Sequence, residues 1–205
     1  HGHFGNPSSG HRFGRTAREG VDLARGQVAR MLGCHDDEVV FTSGGTESNN
    51  YAIKGVAGAY RDRGKHIITS SIEHPAVEEV CRYLEGQGCA VTYLPVDGLG
   101  VVYPEQVEEA LTPETILATI MHANNEVGTV QPIREIVRVA HGHGVLVHSD
   151  CAQSVGKIPV RVDDLGVDLL SIAGHKLYAP KGVGALYVRR GVQLEKLMHG
   201  ADHEM

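Results

Sequence analysis

No uncharged apolar run in the 205-residue chain approaches the roughly 18–20 residues that a spanning helix needs, which excludes an integral membrane protein built from such helices. Positive charge is in short supply. The 19 Lys and Arg stand against 25 Asp and Glu, and a net charge of −6 supports neither a nucleic-acid surface nor a polybasic membrane patch. Cysteine is sparse: Cys34, Cys81, Cys89 and Cys151 form no CxxC pair and no dense framework. They read as free thiols in a reducing compartment, which places the protein in the cytoplasm, or in an organelle of a eukaryotic source. The GxxxxGK[ST] and GxGxxG phosphate loops are both missing. So are linkers, low-complexity tracts and internal repeats.

Glycine and histidine are abundant instead, at 26 and 13 residues. High glycine suits a fold with many tight strand-to-helix turns and close backbone approaches. The histidines point to no metal site, since His1/His3 and His141/His143 are i,i+2 pairs that diverge on a helix, and no HExxH or Cys/His ladder accompanies them. With 41% apolar and 21% charged residues, the chain has material for a sizeable core. It begins with His rather than Met and without a basic-then-apolar leader, so it is expected to be a piece of a longer protein.

Periodicity alternates between strand and helix along nearly the whole length. Ala17, Val21, Ala24, Val28 and Met31 mark an amphipathic helix stopped by Gly33. Further helices are expected over residues 46–60, 75–84, 104–111 and 132–141, with Pro75 and Pro104 suited to a first helical turn. Strands are expected over residues 38–42, 66–70, 90–94, 116–121, 145–148, 169–172 and 184–188. This is an α/β pattern: a mostly parallel sheet of roughly seven strands with helices on both faces. Only a Gly/Pro loop joins the last two strands, so that pair is the candidate for an antiparallel step.

Ligands of an open parallel sheet bind beyond the carboxyl ends of its strands. The residues there are Thr42-Ser-Gly-Gly-Thr-Glu-Ser-Asn49, Ser71-Ile-Glu-His-Pro75, His122-Ala-Asn-Asn-Glu-Val-Gly128, Ser149-Asp-Cys-Ala-Gln153 and Ala173-Gly-His-Lys-Leu-Tyr-Ala-Pro-Lys-Gly182. Ser43-Gly-Gly-Thr46, between a strand and a helix, fits an anion cradle of backbone N–H groups; a plain helix cap by Ser43 or Thr46 fits equally well. Of six lysines, only Lys176 and Lys181 follow a buried strand at this edge. A lysine partly desolvated there would be nucleophilic, as a Schiff-base lysine requires, whereas an exposed loop lysine is the plain alternative. Asp150 could pair with a pyridinium nitrogen, or cap a helix starting near Ala152.

These segments, with Gly5-Asn-Pro-Ser-Ser9, His11 and Gly14-Arg15, occur in an order that resembles the cysteine desulfurase and selenocysteine lyase family, pyridoxal-phosphate enzymes of the class-V aminotransferase group. The resemblance implies the large domain of PLP-dependent transferase fold type I, with residues 1–205 as that cofactor-binding domain. It also implies that an N-terminal strand and a C-terminal small domain lie outside the sequence. Lys176 would form the Schiff base with pyridoxal 5′-phosphate, and Asp150 would face the ring nitrogen. Asn125 and Gln153 would lie near the ring hydroxyl. His74 would stack on the ring and move protons, and Gly45, Thr46 and His175 would hold the phosphate. The implied activity removes sulfur or selenium from L-cysteine or L-selenocysteine and leaves L-alanine. The implied partners are the amino-acid substrate, a second copy in a homodimer and a sulfur-acceptor protein.

Ala173 stands where the family usually offers a serine to the phosphate, which leans toward the selenocysteine lyase branch. Cys151 stands where Ala or Gly is common and reads as small core packing rather than as the nucleophile. That nucleophile, and the arginine for the substrate carboxylate, are expected beyond residue 205, so the chain alone is expected to bind cofactor with little or no sulfur release. Two rivals remain: another class-V aminotransferase or lyase, and a non-catalytic domain that keeps the fold and binds partners only.

Overall fold

The computed structural model describes residues 4–200 and Glu204. Seven strands, β1 (Val39–Thr42), β2 (His66–Ser70), β3 (Ala90–Leu94), β4 (Thr115–Thr119), β5 (Leu146–Asp150), β6 (Leu169–Ala173) and β7 (Gly184–Val188), form one sheet in the order β1-β7-β6-β5-β4-β2-β3. Six helices, α1 (Arg12–Leu32), α2 (Gly45–Ala59), α3 (Pro75–Gly86), α4 (Pro104–Ala110), α5 (Ile133–Gly142) and α6 (Val162–Leu165), pack around it.

Side chains alternate across a strand, so each strand feeds two cores. Ile67, Leu117, Leu169 and Leu186 pack against Ala52, Ile53 and Val56 of α2 and Val77, Val80 and Leu84 of α3. Their neighbours Ile68, Ala118, Leu170 and Ala185 pack on the opposite face against Ala29 and Leu32 of α1, Val107 of α4 and Ile136 and Ala140 of α5. Burial on both faces explains why these strands read as continuous apolar runs.

The expected elements are present, with shifts at their ends. α1 begins at Arg12 rather than near Ala17, because the His11 side chain caps it by accepting the Gly14 N–H at 3.1 Å. At its other end Met31 is exposed and Leu32 takes the buried position, while Gly33, at φ 76°, supplies the left-handed residue that stops the helix. The short α6 was not anticipated.

The β6–β7 pair is antiparallel, and so is β7–β1, a pairing that adjacency in sequence did not suggest. Two antiparallel steps cancel. β1 therefore runs parallel to β6 across β7, and Thr42 and Ala173 both sit beside Gly184. This returns the chain after β1 to the edge where β2, β4, β5 and β6 end.

Gly184 is a point of close approach. A Cβ there would lie 2.7 Å from the Gly44 Cα and 2.7 Å from the Ile172 carbonyl oxygen, and both obstacles are backbone. Gly184→Ala is expected to destabilise the protein by about 1–3 kcal/mol, the usual cost of overpacking, whereas Gly20→Ala in α1 should stabilise it by about 0.5–1 kcal/mol. Apart from the helix's own backbone and its chain neighbours, no atom of the described residues lies within 4 Å of the Cβ position at Gly20. Urea unfolding of the two variants against wild type checks both signs.

Candidate active site

A groove of about 290 Å³ opens at the carboxyl ends of the strands. All eight residues singled out by sequence line it: Gly45 and Thr46 from the start of α2, His74 from the start of α3, Asn125 after β4, Asp150 and Gln153 at and after β5, and His175 and Lys176 after β6. Asn49 and Glu126 also line it, and sequence gave them no role. Asn49 was within reach of sequence reasoning, since it stands four residues after Gly45 and i,i+4 positions share a helix face.

At the α2 end the capping reading of Ser43 and Thr46 fails. The cap residue is Gly44, which has no side chain to offer, so the first-turn N–H groups have no side-chain acceptor at the cap. The Thr46 hydroxyl has no hydrogen-bond partner among the described residues. Ser48 is turned away and held by the Thr42 hydroxyl at 2.8 Å and the Ala185 carbonyl at 3.1 Å. Glu47, the carboxylate of this turn, accepts the Ser43 N–H at 2.8 Å and does not line the groove. The helix start is thus left with donors and a positive dipole end facing the groove, which suits an anion.

Asp150 supplies the opposite charge. It is the last residue of β5, not a residue beyond it, and turns rather than a helix follow, so it caps no helix. The side chain is buried; Oδ1 accepts the Ala152 N–H at 2.9 Å and Oδ2 accepts the Asn49 amide at 2.7 Å. Both donors are neutral, and no Lys, Arg or His pairs with Asp150 among the described residues. A buried carboxylate without a counter-charge fits a cationic ligand atom. Asn49 Oδ1 is likewise buried and without a partner.

Lys176 departs from expectation. It lies in the groove but is exposed rather than partly desolvated. The reason is local. Lys176 sits on a one-turn 3₁₀ helix, Gly174–Leu177, that ends at Tyr178 in the left-handed region (φ 61°), and the chain turns away without covering the amine. Its Nζ is free of hydrogen bonds and ion pairs among the described residues. Lys181 does not line the groove.

Two further groups have their protons placed by neighbours. His74 caps α3, its Nδ1 accepting the Ala76 N–H at 3.1 Å, so the neutral ring carries its proton on Nε2. Gln153 Oε1 accepts from Lys157 Nζ at 2.6 Å, which leaves its NH₂ as the free donor. The Asn125 amide donates to Glu126 at 2.6 Å. Cys151 packs into the core on the α5 side; burial pushes its thiol up to about 12, so it is not a thiolate nucleophile. Burial raises the other three as well, Cys34 to about 11 and Cys81 to about 12.

The parallel sheet with its two antiparallel ladders at one edge, and a groove that pairs an anion cradle with a buried carboxylate and a free lysine, define an α/β protein whose groove offers complements to both charges. The aminotransferase class-V family model matches residues 1–204, and the chain belongs to that family. It is 56% identical over 201 residues to a protein named cysteine desulfurase IscS from Dictyoglomus turgidum, and 57% identical over 206 residues to one of the same name from Aeromonas salmonicida. These alignments take in 98% and 99% of the chain but 51% of each relative, so the chain spans about half the length of the curated relatives it matches. Among solved structures, one described as SspA in complex with cysteine superposes with a TM-score of 0.95 at 48% identity, over 98% of this chain and 59% of that one. A NifS-like protein superposes at 0.94 and 44% identity, over 98% and 55%.

Beneath the groove, between sheet and α2, lies a buried polar layer. His148 bridges Thr119 at 2.8 Å through Nδ1 and Ser171 at 2.9 Å through Nε2. Burial lowers its pKa from 6.5 to about 3, so the ring is neutral in the folded protein. An unfolded chain takes up this proton first as pH falls, so the stability tied to His148 is complete above pH 6.5 and is lost below it. At about 1.36 kcal/mol per pH unit the loss approaches 2–3 kcal/mol by pH 4.5. Burial lowers His66 and His122 too, which adds to the same trend. Thermal unfolding from pH 7 to 4.5 should show this slope in wild type and a shallower one in His148→Gln; equal slopes would show that His148 does not carry it.

Proposed function

We propose that the groove holds pyridoxal 5′-phosphate and that residues 1–205 are the cofactor-binding large domain of a cysteine desulfurase, which removes sulfur from L-cysteine and leaves L-alanine. The observation that carries this reading is the set of three complementary groups on one groove: the uncapped start of α2, the buried Asp150 carboxylate without a counter-cation, and the free Lys176 amine. A phosphate, a protonated ring nitrogen and an aldehyde answer them in turn. The names of the relatives and the cysteine in the SspA structure support sulfur over selenium and an amino-acid substrate.

When bound, the cofactor supplies an electron sink for charge that develops on the amino acid's α-carbon. The residues do the rest. Gly45, Thr46 and His175 bind the phosphate through backbone N–H, hydroxyl and imidazole donors. Asp150 holds the ring nitrogen, its own orientation set by Asn49 and Ala152. Gln153, with its carbonyl engaged by Lys157, and Asn125 donate toward the ring hydroxyl. His74 presents an aromatic face and an Nε2 proton, and the Lys176 amine is the nucleophile and proton carrier. A homodimer and a sulfur-acceptor protein complete the proposal.

Incubation with pyridoxal phosphate should turn the protein yellow, and borohydride should then fix a pyridoxyl group on Lys176, found by peptide mapping. Asp150→Asn should weaken cofactor binding by about 10–100-fold, the usual scale for losing a charged hydrogen bond. Label on Lys181, or no label, would overturn the assignment.

A further inference from the structure

Glu73 precedes His74 and does not line the groove, yet it is only 8% exposed. Its Oε1 accepts two hydrogen bonds, from the Ser70 hydroxyl at 2.5 Å and from the Met121 backbone N–H at 2.9 Å. The first closes the turn that follows β2. The second reaches 48 residues along the sequence to the chain that leaves β4. A second tie runs alongside, from the Asn124 amide to the Ile72 carbonyl at 3.1 Å, while Asn124 Oδ1 accepts the N–H groups of Glu126 and Val127 at 2.8 and 3.0 Å. The turn carrying His74 and the loop carrying Asn125 are therefore joined at their roots.

We propose that Glu73 is a positioning residue, a clamp whose Oε1 fixes the His74-bearing turn against the exit of β4 and so sets the rim on which His74 and Asn125 stand. This rests on the reading of the groove as a cofactor site only for what the rim faces; the clamp itself is a property of the chain.

Burial favours the neutral form of the Glu73 carboxyl. Oε2 is buried with no hydrogen-bond partner among the described residues. Desolvation is the main influence on the carboxyl and drives its pKa up to about 8, against the opposing effect of the Ser70 and Met121 bonds. Asp150 of β5 acts on it from a packed element, its negative charge raising it further, and Glu73 in turn raises the thiol of Cys81 on α3. No Lys, Arg or His forms an ion pair with Glu73 among the described residues. Ionisation above pH 8 would put a second negative charge beside Asp150 and load the clamp. Glutamine keeps the Oε1 acceptor and cannot ionise, so it separates the clamp from the charge.

The test follows the His74 imidazole signals by NMR in the full ligand-free chain, assigned with His74→Gln, alongside pyridoxal phosphate affinity by fluorescence. In wild type the His74 signals should show an inflection near pH 8, where Glu73 ionises. Glu73→Gln should remove that inflection and keep the pH 7 signals and the affinity within about 2-fold, whereas Glu73→Ala should displace the signals and weaken binding by about 10-fold, the scale of one buried hydrogen bond. Persistence of the inflection in Glu73→Gln would overturn the proposal. So would unchanged His74 signals in Glu73→Ala, or equal damage from both variants. Should Glu73→Ala fail to fold, the glutamine variant decides alone. Should wild type bind no pyridoxal phosphate, the cofactor reading fails, and the His74 signals still decide the clamp.

Discussion

A parallel ladder forces every strand it joins to end on the same edge, and the chemistry of this protein depends on that constraint. β2, β4, β5 and β6 each deliver one polar segment there because their backbones run the same way. β1 joins them only because β7 is antiparallel to both of its neighbours, so that two reversals separate β6 from β1. Without that double reversal the Ser43-Gly-Gly-Thr46 turn, and the start of α2, would lie at the far end of the sheet from Asp150 and Lys176. The glycine at position 184 is what lets the backbones of β7 and the Gly44 turn come close enough for this.

Charge is distributed across the groove so that no group satisfies another. The buried carboxylate is held by an amide and a backbone N–H, the helix start lacks a side-chain cap, and the amine of Lys176 stands free. In most folded proteins such groups are paired internally, because an unpaired buried polar group is costly. Here the Asp150 carboxylate is supported from behind by neutral hydrogen-bonding partners instead. That keeps it in place without neutralising its charge, the condition for electrostatic preorganisation.

The polar layer behind the groove serves the same end. Thr119, His148 and Ser171 form a chain across three adjacent strands, and Ser149 donates to the Ile120 carbonyl at 2.8 Å on the opposite side. A fully bonded buried network has few alternative arrangements, so it makes the strand ends rigid where an apolar core would tolerate slippage. The Ser70–Glu73–Met121 bonds do for the rim what the histidine does for the floor.

Sequence by itself determined the element types and nearly all their positions, since continuous apolar strands, helical spacing, and Pro75, Pro104 and Gly33 are local signals. It also marked the strand-end segments that line the groove, because polar residues just after a buried strand have one edge of the sheet open to them; the choice of eight residues within those segments came from the family resemblance. Tertiary structure alone decided the antiparallel placement of β1 beside β7, a pairing between segments about 145 residues apart that no local pattern encodes. It decided that Gly44 rather than Ser43 or Thr46 occupies the cap, and that Lys176 stands in the open, because the backbone turn at Tyr178 sets exposure. It also gave Asn49 and Glu73 their partners, 101 and 48 residues away along the chain. A side chain's residue type fixes which hydrogen bonds it can make; only the folded backbone brings a partner within 3 Å of it.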